Sequence, residues 1–235
     1  MNRKIIISSI LAFAGIGVLL LIVLVIFFVI KPVRPPNVLI ITMDTTRADR
    51  IGCYGYDRIL TPNIDSVAKD GVLFEEAFSV QPVTLPSHAS IFTGKYPFHN
   101  GVRDNNIYRL AEDNVTLAEI LMQKDYLTTA FLATYILHNR FGLQQGFNFY
   151  NDRFINPRQK GRLPVERRAS EVSFLASEWL DAVKDELEKR PFFLWLHYYD
   201  PHAGYDPPHP YKTAYPDPYD GEIAYMDDWI GYFFD

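Results

Sequence analysis

The chain has 235 residues, 48% of them hydrophobic and 15% aromatic, which excludes a disordered chain and leaves enough residues for one sizeable core. Its formal net charge of -5 gives no bulk affinity for nucleic acid. The single cysteine, Cys53, excludes an internal disulfide.

In chain order, the first feature is the uncharged apolar run from Ile5 to Ile30. At about 1.5 Å per residue, a helix over it crosses a hydrocarbon layer of roughly 30 Å. The competing reading is a cleaved signal, but a signal core is about 7–15 residues long and ends at small residues. This run is longer and ends Phe27-Phe28-Val29-Ile30-Lys31-Pro32. Residues 1–30 are therefore expected to be a single-pass membrane anchor. Arg3 and Lys4 before the run are balanced by Lys31 and Arg34 after it, so charge orients it weakly. Residues 31–36, KPVRPP, read as a stiff linker.

Residues 37–43, NVLIITM, form an unbroken apolar run, the pattern of a central parallel strand covered on both faces. Thr61-Pro62 marks a helix start with an N-cap and N1 proline, and Gly71 its end. Val72 to Phe78 is expected to be a second strand, and Pro86 to Thr93 a short helix closed by Gly94. Thr116-Leu117-Ala118-Glu119 is a capping box opening another helix. Thr128 to Ala133 is a candidate strand. After Arg168, an apolar stripe of Val172, Leu175, Ala176, Trp179, Leu180, Val183 and Leu187 predicts an amphipathic helix. Pro191 to Tyr198 is a buried strand, and the chain is expected to be helical from Asp220 to its last residue. Strands alternating with helices predict a doubly wound α/β sheet. An end inside an amphipathic helix is the expectation for a fragment.

Three places combine chemistry-bearing residues with strand ends or helix starts, where open α/β sheets bind ligands. Asp44 follows the NVLIITM strand; it suits a divalent metal, and nearby Arg47 an anion, although a strand-end aspartate is more commonly a helix cap. Thr84 precedes the proline-marked helix, where free N–H groups and the dipole hold anions, and its hydroxyl is either a nucleophile or only a cap. His197, Asp200 and His202 cluster after the PFFLWLHY strand and suit a metal or a leaving-group oxygen. Asp104-Asn105 reads as a turn. Residues 158–168 carry five basic residues against Glu166 and read as a solvated loop.

The blocks NVLIITMDTTRADRIGCYGY, TPNIDSVAKDGVLFEEAF, TLPSHASIFTGKYPFHNGV, FGLQQGF and HYYDPHAGYDPP, in this order, resemble the sulfatase family. The resemblance spans nearly all of residues 37–235 and implies an alkaline-phosphatase-like α/β/α fold, incomplete at the C-terminus. It implies a metal-dependent hydrolase of anionic sulfate or phosphate esters. In that role Asp44 and Thr84 hold the metal, with Thr45 and Asp200 as further candidate ligands. Thr84 and His202 are the catalytic candidates; Arg47, His88 and His197 contact the substrate. The metal is calcium in true sulfatases, or zinc or manganese if the protein is phosphoesterase-like. The family's second metal motif falls beyond residue 235, so residues 37–235 are expected to be inactive alone.

The chain departs from the family pattern where it matters most. Thr84 stands at the nucleophile position, where sulfatases carry a cysteine or serine that becomes formylglycine; a threonine, a secondary alcohol, cannot. His88 stands where the family has arginine, and Thr45 where many members have a second aspartate. The Gly-Lys-Trp-His block has no counterpart near Leu132 to Tyr135. Threonine nucleophiles resemble the phosphodiesterase and phosphotransferase branches of the same superfamily, which remains one alternative. A non-catalytic, membrane-tethered binding protein is the other. The enzyme type places the domain on the periplasmic or extracellular side.

Overall fold

A computed structural model describes residues 34–154 and 166–235. The expected anchor over residues 1–30 and most of the basic loop lie outside the described residues. No helix among the described residues is long and apolar enough to cross a membrane. Residues 37–235 form one compact unit.

Among the described residues its centre is a four-stranded, wholly parallel sheet. The strands are β1 (Val38–Met43), β2 (Leu127–Leu132), β3 (Phe149–Asn151) and β4 (Phe192–Tyr198), in the spatial order β1-β4-β2-β3. Five helices matter for the site: α1 (Pro62–Asp70), α2 (Thr84–Thr93), α3 (Leu117–Met122), α4 (Ala169–Ala182) and α5 (Pro218–Phe234). Alternation along β4 explains the layering. Phe193 and Trp195 point to one face, where Leu85, Ala89 and Phe92 of α2 and Ala118 of α3 pack. Leu194, Leu196 and Tyr198 point to the other, against Val172 and Ala176 of α4 and Ile230 of α5. Burying each such large apolar side chain contributes about 1.5–3 kcal/mol. The result is the expected α/β/α arrangement.

The capping box at Thr116 forms as the sequence predicts. Glu119 N–H donates to Thr116 Oγ1 at 3.2 Å, and Thr116 N–H donates to Glu119 Oε2 at 2.8 Å. The predicted helix after Arg168 forms over Ala169–Ala182, breaks at Val183, and resumes for one turn at Lys184–Leu187.

Four expectations need correction. Val72 to Phe78 is not a strand: Val72, Phe74 and Phe78 are each at least 70% exposed, and no neighbouring strand pairs with the segment. α2 begins two residues earlier than expected, because Pro86 fits inside a first turn, whose N–H groups have no partner within the helix. β1, read as central, has one neighbour among the described residues and is half-buried throughout. Thr61 makes no side-chain cap; its hydroxyl accepts from Gly52 N–H at 2.9 Å and donates to Asp65 at 3.1 Å. The three-residue β3 is too short to show a pattern in the sequence.

Candidate active site

The carboxyl ends of β1 and β4 lie side by side, with Thr42 opposite His197 and Met43 opposite Tyr198. Asp44 extends this register: its N–H donates to the Tyr198 carbonyl at 3.0 Å. The chain then turns sharply. Thr45 takes a left-handed φ of 55°, which costs a β-branched residue about 1–3 kcal/mol. Two contacts hold the turn: Thr45 Oγ1 donates to the Pro201 carbonyl at 2.8 Å, and the Tyr219 hydroxyl donates to the Thr45 carbonyl at 2.7 Å.

Against this turn sits the N-terminus of α2. Thr84 is its first residue, nearly buried, with its hydroxyl facing the Asp44 carboxyl. The Asn105 side chain reaches the same helix end from a separate loop, its Oδ1 accepting from Leu85 N–H at 2.8 Å. Because that N–H can only donate, the contact fixes the amide orientation and leaves Asn105 Nδ2 as a donor with no partner among the described residues. Pro86 has no N–H, and Thr84 N–H is without a partner among the described residues. This helix end keeps donors for an anion.

One turn into α2, His88 is buried, with Nδ1 2.8 Å from the Thr84 carbonyl. Burial, with the neighbouring His197, pushes its pKa down to about 4, so the ring is neutral near pH 7. His197 is fully buried, its Nε2 3.4 Å from Asp44 Oδ2. Burial works to raise the Asp44 pKa, but the hydrogen bond and charge of His197, the charge of His88 and the Thr84 hydroxyl outweigh it. The carboxyl is held below its usual range. Asp44, His88 and His197 offer ligand atoms that all lie within 4.8 Å of one another, a group able to hold a metal ion.

Above the cluster opens a cleft of about 690 Å³, lined among others by Asp44, Arg47, Thr84, His88, Asn105 and His202. The sequence-derived candidates divide accordingly. Asp44, Thr84, His88 and His197 come together, while His202 and Arg47 stand on the cleft wall. His202 stacks on Tyr199, with ring centroids 4.3 Å apart. Arg47 Nε and Nη2 bond Asp49 at 2.8 and 2.6 Å, in an exposed pair. Two proposed ligands are engaged elsewhere. The Thr45 hydroxyl is bound to Pro201, and Asp200 Oδ1 accepts from Ala169 N–H at 3.0 Å, capping α4. Asn105 was legible only as a turn residue; its cap to a helix twenty positions earlier has no local signal.

Residues 36–235 match the family profile described as Sulfatase, and the chain belongs to that family. Among curated relatives it is 25% identical over 238 aligned positions to human N-acetylgalactosamine-6-sulfatase, covering 84% of this chain and 46% of that one. Its fold is similar to that of a protein in the alkaline phosphatase superfamily from Vibrio parahaemolyticus. There the TM-score is 0.65 at 19% identity, over 86% of this chain and 50% of that one. It is also similar to the phosphonate monoester hydrolase of Agrobacterium radiobacter, with a TM-score of 0.67 at 20% identity, over 85% and 58%. The chain thus spans about half the length of these counterparts.

Proposed function

We propose that this protein is a metal-dependent hydrolase of anionic esters that uses Thr84 as its nucleophile, with phosphoesters as the favoured substrates. One observation carries the reading: the Thr84 hydroxyl lies at an anion-accepting helix start, beside the Asp44 carboxyl, on the floor of the cleft. An ester oxyanion in the cleft meets Thr84 N–H and Asn105 Nδ2, donors in place before any charge develops. The threonine favours phosphorus over sulfur, because formylglycine cannot form at a secondary alcohol.

Thr84 Oγ1 attacks in line. A bond to phosphorus forms, the bond to the alcohol oxygen breaks, and the hydroxyl proton leaves to solvent through the cleft. His202 gives the departing oxygen a proton, then takes one from the water that cleaves the threonine ester. Arg47 can leave its exposed pair with Asp49 at small cost and meet the substrate's negative charge. The Asp44 carboxylate and the His88 imidazole, whose buried Nε2 has no partner among the described residues, are a donor pair that fits a divalent metal, with His197 beside them. Such a metal, held by Asp44 and His88, would lower the pKa of a hydroxyl and offset developing negative charge.

The test is turnover of paired aryl phosphodiester and aryl sulfate substrates by the full-length protein. Phosphodiester turnover lost in Thr84→Ala is expected. Sulfate turnover that survives Thr84→Ala would overturn the reading. The length of the 5–30 run supports membrane anchorage, and the enzyme type supports a domain on the periplasmic or extracellular side. Release of the protein from membranes by alkaline carbonate would contradict that placement.

A further inference from the structure

The buried cluster divides its roles unequally, and its hydrogen bonds say how. His88 Nδ1 lies 2.8 Å from the Thr84 carbonyl, which can only accept, so Nδ1 carries the proton and Nε2 carries the lone pair. That Nε2 is buried and has no partner among the described residues. Folded proteins seldom leave such an atom without an ion or a water. His197 is arranged the other way. Its Nδ1 lies 3.4 Å from Ala133 N–H, which can only donate, so the proton sits on Nε2, facing Asp44 Oδ2 at 3.4 Å. His197 thus steadies the carboxylate, and His88 presents an empty nitrogen to the same space.

Position 88 is where the family resemblance implies arginine. A guanidinium has five donors and no lone pair, so it meets an anion but cannot ligate a cation. Histidine replaces that contact with a nitrogen ligand. Calcium takes six to eight oxygens, whereas imidazole suits zinc and its neighbours. Trp195 and His197 pack against the ring, with centroids 5.5 and 5.0 Å from that of His88, and Phe92 packs on Trp195 behind them at 4.4 Å. They shield the nitrogen from competing water.

The geometry points to a nitrogen-ligated cation site in which His88 Nε2 and the Asp44 carboxylate bind a zinc-class ion, with His197 as the positioning residue, in preference to calcium. This rests on reading the cleft as a metal-dependent ester-hydrolysing site.

The test uses metal-stripped full-length protein titrated with Co²⁺ and followed by its visible absorption, then challenged with Zn²⁺ or Ca²⁺. Zn²⁺ is expected to displace Co²⁺, and Ca²⁺ in about 100-fold excess to leave it in place. His88→Gln, which keeps a donor for the Thr84 carbonyl and lacks the ring nitrogen, should weaken Zn²⁺ binding by about tenfold or more. Should that variant fail to fold, ¹⁵N NMR of histidine-labelled wild-type protein reads the same atom: Nε2 of His88 shifts on Zn²⁺ addition and Nδ1 stays protonated. Displacement of Co²⁺ by Ca²⁺, unchanged Zn²⁺ binding in a folded His88→Gln variant, or an unmoved Nε2 signal would overturn the assignment. Thr84→Ala separates the two readings. Zinc held through His88 without Thr84-dependent turnover supports the site and removes the hydrolase. Thr84-dependent turnover sustained by calcium and indifferent to His88→Gln removes the site and leaves the hydrolase.

Discussion

Two helices in this chain begin with a threonine close to a proline, α1 at Thr61-Pro62 and α2 at Thr84-Leu85-Pro86, and the protein finishes them in opposite ways. At α1 a buried carboxyl fills the cap. Asp227 of α5 accepts from Asn63 N–H at 3.2 Å and Ile64 N–H at 2.8 Å, and from Asn63 Nδ2 at 2.9 Å. The fit is tight: a Cβ added at Gly231, one turn on, would lie 2.5 Å from Asn63 Oδ1. At α2 the cap is a neutral amide on one N–H, and the helix end opens on the cleft. A helix start completed by the protein's own carboxyl is a structural joint. One left short of an anion is a place for a ligand.

Substitutions should break this comparison cleanly. Thr84→Ala is expected to reduce turnover by about a thousandfold or more with little change in stability. Thr61→Ala should do the reverse, lowering the denaturant midpoint and leaving kcat alone. Asn105→Ala sits between the two. It removes a donor to the oxyanion, worth about 100-fold in kcat, and a helix cap, worth about 1 kcal/mol in urea unfolding. Asp227→Ala should cost about 2 kcal/mol of stability, because it strips two backbone N–H groups of α1 of their acceptor.

A pH dependence sharpens the contrast further. Burial pushes the Asp200 and Glu222 carboxyls up to about 7, and each has one buried oxygen with no partner among the described residues. An acid with a raised folded-state pKa favours folding fully below its unfolded value, and that contribution is lost as pH rises through about 7. The melting temperature should therefore fall between about pH 4 and about pH 7. Asp200→Asn and Glu222→Gln, neutral throughout, should each flatten that decline. A wild-type profile with no such fall would refute this assignment.

What the sequence made legible was whatever is encoded locally. The Thr116 capping box, the stripe of α4 and the apolar runs of β1 and β4 each carry their signal within a few residues, and each formed. Asp44, Thr84 and the histidines of the HYYDPH block stood out because strand ends and helix starts can be read from neighbours. Long-range decisions were not legible. Whether a threonine caps its own helix depends on side chains far along the chain, Asp227 for α1 and Asn105 for α2. The apolar residues of Val72 to Phe78 suggested a strand, but pairing needs a partner that sequence pattern does not supply. The roles of His88 and His197 turned on which ring nitrogen meets a donor and which an acceptor, and only three-dimensional contacts decide that.

The most direct measurement is rapid-quench mass spectrometry of the full-length protein during turnover of an aryl phosphodiester. A transient phosphoester on the peptide containing Thr84, absent in Thr84→Ala, is the predicted result. Turnover that proceeds with no adduct on Thr84, and at the same rate in Thr84→Ala, would contradict a threonine nucleophile at the start of α2.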